Sequence, residues 1–195
     1  MFFQITSIVI LLIFYGCYFL KMLTQKKKGI QTDQIGKGKT GLVKVIEVIM
    51  KIATISVPVA EIVSILLDLS KLPSFVRYIG IIIALIGTGV FICSVITMRD
   101  SWRAGVPETD KTELITAGIY QISRNPAFLG FDLVYIGIAM MFFNWVLFLI
   151  SIFAILIFHL QIVNVEENHL LKVFGAEYLN YRNTVNRYLG RKHYR

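Results

Sequence analysis

Five long apolar stretches restrict what this chain can fold into more than any other feature. A membrane-spanning helix needs about 20 predominantly apolar residues, and in hydrocarbon each backbone N–H and C=O must find its partner inside the protein. The first run is Phe2–Leu20. The second, Leu42–Leu69, carries Glu47, Lys51, Glu61 and Asp68, so only its centre, Ile52–Leu67, suits lipid. Pro58 predicts a kink there, and Glu61 is expected to face protein, because an acid facing lipid is costly. The third run, Val76–Met98, has no charge except Arg77 at its start, and its Gly80, Gly87 and Gly89 allow close helix packing. The fourth and fifth share the stretch Phe128–Val163, which breaks best at Asn144 and predicts a tight helical hairpin.

Composition agrees. Hydrophobic residues are 56% of the 195, above the roughly 45–50% of soluble domains. The expected fold is all-α, a polytopic membrane protein with about five transmembrane helices, the last two a hairpin, followed by short C-terminal cytoplasmic helices. Residues 1–104 form the N-terminal set of three helices with a basic loop, and residues 105–195 form a second region that carries the chemistry. Phe2–Leu20 lacks a basic segment before it and a small-residue cleavage site after it, so it is read as a retained transmembrane helix rather than a signal peptide.

The chain has 20 Lys+Arg against 12 Asp+Glu. In a polytopic protein this excess sets topology before it suggests nucleic acid, and no nucleic-acid partner is expected. Lys21, Lys26, Lys27, Lys28, Lys37 and Lys39 follow the first helix. Arg99, Arg103, Lys111 and Arg124 follow the third, and the tail from Lys172 to Arg195 is basic again. The other side keeps Lys71 and Arg77. The positive-inside rule then places the N-terminus outside and the C-terminus in the cytoplasm. Gln25–Gly41, polar and rich in Gly and Lys, reads as a flexible connection at the lipid surface. Cys17 and Cys93 lie in apolar runs as small hydrophobic filler. His159 and His169 are expected to bond locally, and no metal site is expected.

Chemistry concentrates in two segments. In Thr112–Gly130 (T-E-L-I-T-A-G-I-Y-Q-I-S-R-N-P-A-F-L-G), Pro126 disfavours helix at Asn125 and opens the next one. The free N–H groups of that first turn, with Arg124, suit an anion; an interfacial turn with snorkelling Arg and Tyr is the alternative. In the second segment, Glu166 and Glu167 stand at the exit of the fifth helix, as solvated charges or as partners for Arg124 or a cationic ligand. Leu170, Leu171 and Phe174 form an apolar stripe that Gly175 can cap, and Ala176–Val185 follows as a short helix. Asp132, close to the start of the fourth helix, is an acid at a costly depth.

The order G-x-Y-x-x-x-R-N-P-x-F-x-G, a helical hairpin, then E-E-x-x-L-x-x-x-F-G-x-x-Y-x-x-Y resembles the isoprenylcysteine carboxyl methyltransferase family. More broadly it is similar to the membrane methyltransferases that include phospholipid N-methyltransferases. The resemblance covers residues 105–190. It implies S-adenosylmethionine bound on the cytoplasmic side and methyl transfer to a membrane-borne lipid or prenylated acceptor. By the same resemblance, Thr112, Glu113, Leu114, Ile115, Tyr120, Arg124, Asn125, Pro126, Ala127, Phe128 and Glu166 line the cofactor pocket, and Arg124 and Glu166 are the candidates for a catalytic role. The chain departs from the family pattern at Thr112 and Asn125, where histidines are usual, and at Phe128, where tyrosine is. At Ile162 the eukaryotic enzymes carry an arginine implicated in handling the substrate carboxylate. The leading expectation is an enzyme resembling protein-S-isoprenylcysteine O-methyltransferase. A lipid-amine N-methyltransferase, a non-catalytic lipid- or partner-binding protein of the same fold, and a membrane reductase using a nicotinamide cofactor are the alternatives. The sequence leaves the oligomeric state open.

Overall fold

The computed structural model of the chain describes residues 1–106 and 112–192; Lys111 and Arg195 of the basic segments lie outside them. Helix α1 runs Phe2–Lys27, α2 Gly41–Leu66, α3 Ser74–Met98, α4 Pro126–Met141, α5 Trp145–Gln161 and α6 Glu167–Thr184. Two short 3-10 turns, Arg99–Ser101 and Gly118–Gln121, and a π-turn, Ile162–Glu166, join them. Leu12, Leu66, Ile82 and Leu149 are all more than half exposed on outward faces. Side chains of this kind arrayed over a whole bundle belong in lipid, not water. The protein is an integral membrane protein.

Among the described residues, four helices are long and apolar enough to cross a bilayer. The fifth, α4, has 16 residues, roughly 24 Å at 1.5 Å per residue, short of the ~30 Å hydrocarbon core. Both its ends are chemically fixed. Pro126 stands at its first turn, and Asn144 breaks the hairpin, as expected. Asn144 caps α5 by accepting from the Leu147 N–H at 3.0 Å and donates to Ser64 Oγ at 2.8 Å.

Glycines set the closest contact in the bundle. Helices α3 and α4 run antiparallel so tightly that a Cβ on Gly80 would sit 2.6 Å from the Gly137 carbonyl, and one on Gly87 2.8 Å from that of Gly130. Gly89, expected to share in this, has nothing within 4 Å; it points off the seam. Phe14 of α1 is fully buried against Phe91 of α3 and Phe131 of α4, with ring centroids 4.7 and 4.8 Å away. A second core joins Met50, Ala53 and Val57 of α2 to Tyr135 of α4 and to Ala154, Ile157 and Phe158 of α5. Glu61 is completely buried, on the protein side of α2.

The helix ends sort onto two sides. On one, Gln4 Nε2 donates to the Ile65 carbonyl at 2.9 Å and the Lys71 N–H to that of Phe143 at 3.2 Å. On the other, the segment expected to be a loose connection is pinned. Helix α1 extends to Lys27, and Gln25 is buried, donating to the Trp102 carbonyl at 3.0 Å while accepting from Thr32 Oγ1 at 2.7 Å. The Gln34 N–H bonds the Ala104 carbonyl at 2.8 Å. A buried glutamine amide must bond something, and its local partners hold the polar chain against the segment that follows α3.

Candidate functional site

The site lies on the side where α3 ends, α4 begins and α5 passes into α6. Pro126 ends any helix before it, so Gly118–Asn125 is free to turn inwards. Tyr120 is buried there; its hydroxyl meets Ser94 Oγ of α3 at 2.8 Å, and its carbonyl accepts from Tyr181 Oη at 2.7 Å. The expected stripe of α6 closes over it. Leu170, Leu171, Phe174, Tyr178 and Tyr181 form one apolar cluster with Leu114, Ile115 and Tyr120. Gly175 interrupts the helix with φ 48° and ψ −119°, so the apolar face turns and follows the surface.

Beside this cluster is a nearly buried ionic network. Arg124 donates to Glu167 at 3.1 Å and to Tyr178 Oη at 2.8 Å. Their side chains are only 6% and 9% exposed, so the pair gains strength from low dielectric but must be well bonded to offset desolvation. Arg187 supplies the rest, approaching Glu167 with Nε at 2.7 Å and Nη2 at 3.1 Å. These bonds push the Arg187 guanidinium above its ordinary range. The Arg187 carbonyl accepts from Asn125 Nδ2 at 3.0 Å. Tyr188 Oη meets His159 Nδ1 at 2.7 Å. The tail from Asn186 to Arg191 is thereby strapped across Gln121–Asn125.

The two consecutive glutamates part company. Glu167 faces Arg124 and Arg187, whereas Glu166, at the end of the π-turn, turns to Gln161 and Glu47, near Tyr120. Glu47 accepts from the Gly36 N–H and, at 3.4 Å, from Gln161 Nε2. Buried Gln161 Oε1 and Arg124 Nε have no partner among the described residues.

The structure divides the residues expected from sequence. Leu114, Ile115, Tyr120 and Arg124 come together under α6, and Asn125 lies beside them under the tail strap. Glu113 and Ile115 also line a cavity of about 490 Å³ with Met98, Arg99, Ser101 and Arg103. Thr112 is half-buried at the edge of this region. Pro126, Ala127 and Phe128 belong to the helix core: Ala127 packs on the α1–α3–α4 cluster, and Phe128 meets Phe158 edge-on at 5.3 Å. Ile162 is fully buried. Sequence reasoning missed Glu47, Gln161 and Arg187. Glu47 was a visible signal, an acid inside an apolar run, and Arg187 was hidden in a basic tail. Among the described residues no group of three His, Cys, Asp or Glu could hold a metal.

The profile of the phospholipid methyltransferase family matches residues 76–177, just over half the chain. The chain belongs to this family. Its match contains nearly all of α3, the α4–α5 hairpin and most of α6. Among individual relatives, a protein-S-isoprenylcysteine O-methyltransferase of Saccharomyces cerevisiae is 38% identical over 72 residues, 37% of this chain and 30% of that protein. A probable protein-S-isoprenylcysteine O-methyltransferase of Oryza sativa subsp. indica is 28% identical over 113 residues, 57% of this chain and 59% of that protein. The chain therefore spans less than two thirds of the length of these curated relatives.

Proposed function

We propose that this phospholipid methyltransferase family member is an S-adenosylmethionine-dependent methyltransferase of a membrane-borne acceptor, with residues 105–195 as its catalytic region carried on the helices of 1–104. The observation that carries this reading is the divergence of Glu166 from Glu167. It leaves one acid to hold the site together and one, with Glu47 and the unpartnered Gln161 Oε1, to face a cation. S-adenosylmethionine supplies an electrophilic methyl on a sulfonium and carries an ammonium, a carboxylate and an adenine. Glu166 and Gln161 would hold its ammonium, and the unpartnered Arg124 Nε suits its carboxylate. Leu114, Ile115 and Tyr120 are the apolar surface available to its adenine. The strap and α6 exclude water from the reacting atoms.

Two acceptor classes are in contention. The relatives' names favour a prenylated cysteine carboxylate. Two residues favour a lipid-borne amine instead. Ile162, fully buried, stands where the carboxylate-handling arginine would be, and an isoleucine cannot bind a carboxylate. Asp132 is buried, with no partner for Oδ1 among the described residues, close to Tyr188 of the strap, and an acid so placed suits an ammonium. Incubating the purified protein in nanodiscs with labelled S-adenosylmethionine separates the two. The amine reading expects label in phosphatidylethanolamine and little in farnesylcysteine; efficient labelling of farnesylcysteine alone would restore the carboxyl reading, and labelling of neither would oppose both.

The basic residues favour a site facing the cytoplasm, with the N-terminus outside. Single cysteines at Ser70 or Val146 should react with an impermeant maleimide from outside intact cells, and cysteines at Gln31 or Asn186 should not. Val146 is the better hairpin probe because Asn144 is the α5 cap. Reversed labelling at all four positions would overturn this orientation.

A further inference from the structure

Far from the candidate site, α2 carries an acid with no visible reason. Glu61 is completely buried, and both its carboxyl oxygens lack a partner among the described residues. It lies about 20 Å from Glu47 along the helix, at 1.5 Å per residue, in the half of the bundle closed by the Asn144–Ser64 bond. Tyr15 of α1 and Tyr135 of α4 approach it from two other helices, close enough for their phenols to interact with each other and with the carboxyl. Neither phenol oxygen has a hydrogen-bond partner among the described residues. Three helices thus direct four unpartnered polar atoms to one place inside an apolar bundle. Each such atom costs about 1–3 kcal/mol if left unmade, and buried polar groups are nearly always bonded to protein or water.

We propose that Glu61, Tyr15 and Tyr135 form an internal binding site for ordered water, with Glu61 as a neutral carboxylic acid. Phenol and carboxylic acid O–H groups donate outwards, and their remaining lone pairs accept; two to four such partners are what a buried water requires. The donors also disfavour the rival occupant. A bare monovalent cation is best held by carboxylate and carbonyl oxygens, whereas two of the three side chains here are phenols, each of which must also place an O–H. The proposal does not rest on the methyltransferase reading, since none of Glu61, Tyr15 and Tyr135 is among the residues assigned to the cofactor.

Infrared difference spectroscopy of the full chain in nanodiscs, wild type against Glu61→Gln, tests this. At neutral pH the wild type should show a carboxylic acid C=O band, shifted in D2O, and a water O–H band shifted in H2 18O. Both should vanish in Glu61→Gln, and Tyr15→Phe or Tyr135→Phe should move them. Carboxylate bands in their place, with a melting temperature raised by Na⁺ over choline, would overturn the proposal in favour of a cation. A carboxylic acid band without the 18O-sensitive band would overturn it in favour of a dry site. Glu61→Leu gives an independent sign. A watered site loses melting temperature because two phenols are stranded, whereas a dry one gains it because an unpaired acid is removed.

Discussion

Gly137→Leu should abolish the folded protein rather than merely weaken it. The Gly137 Cβ alone would fall 2.6 Å from the Gly80 carbonyl and 2.7 Å from Ala84 on the facing helix. Rigid backbone on both sides leaves no flexible side chain to yield, so α3 and α4 must separate along their whole seam. A single extra methylene in a packed core costs about 1–3 kcal/mol, and leucine adds several atoms where there is no room for the first. Helix association inside a bilayer depends on such close packing because lipid offers apolar side chains no penalty to escape. Size-exclusion profiles after extraction should show wild-type protein as one symmetric peak and Gly137→Leu as aggregate. Gly89→Leu, facing open space on α3, should match wild type. A monodisperse Gly137→Leu with an unchanged melting temperature would show that the seam is not what holds these helices.

Arg124→Ala should cost about 3 kcal/mol, the low end for breaking a buried ion pair. Glu167 would keep Arg187, which limits the loss, but Tyr178 Oη would lose its donor and the strap would lose an anchor. Arg124→Lys should rescue little, because one ammonium cannot reproduce the planar donors that reach Glu167 and Tyr178 together. Denaturant unfolding in detergent, with Glu167→Ala and the double variant, gives the coupling. Groups sharing such a network couple by about 0.5–3 kcal/mol. Strict additivity would mean that the network contributes nothing as a unit.

The helices were legible in sequence because lipid imposes length and composition. Asn144, Pro126 and Gly175 mark their breaks through chemistry that acts within a few residues. The joining of Tyr120 to α6 was legible only through the resemblance, since Thr112–Gly130 and the tail lie on opposite sides of a hairpin. Polar contacts between distant segments were not legible. Gln25–Gly41 looks solvated, and only the fold shows it tied down, by the Gln25 amide to Trp102 and by the backbone of Thr32 and Gln34 to Ala104. Glu166 and Glu167 are identical letters in sequence. The π-turn ending at Glu166 aims them apart, and no propensity rule predicts which of the two meets Arg124. Glu47 counted in sequence as a reason to trim a span, whereas in three dimensions it faces Glu166 across α2 and α5.

Glu166 is the residue on which binding of the S-adenosylmethionine cation is expected to depend most. Calorimetric titration of the purified protein with S-adenosylmethionine and with its demethylated product measures this without any acceptor. Wild type should bind both. Glu166→Ala should weaken binding at least tenfold, since a charged hydrogen bond is worth about 1.5–3 kcal/mol. Glu177→Ala, on the exposed face of α6, should change it by well under 1 kcal/mol. Equal and negligible effects of the two substitutions, or no binding by wild type, would overturn the assignment of Glu166 to the cofactor.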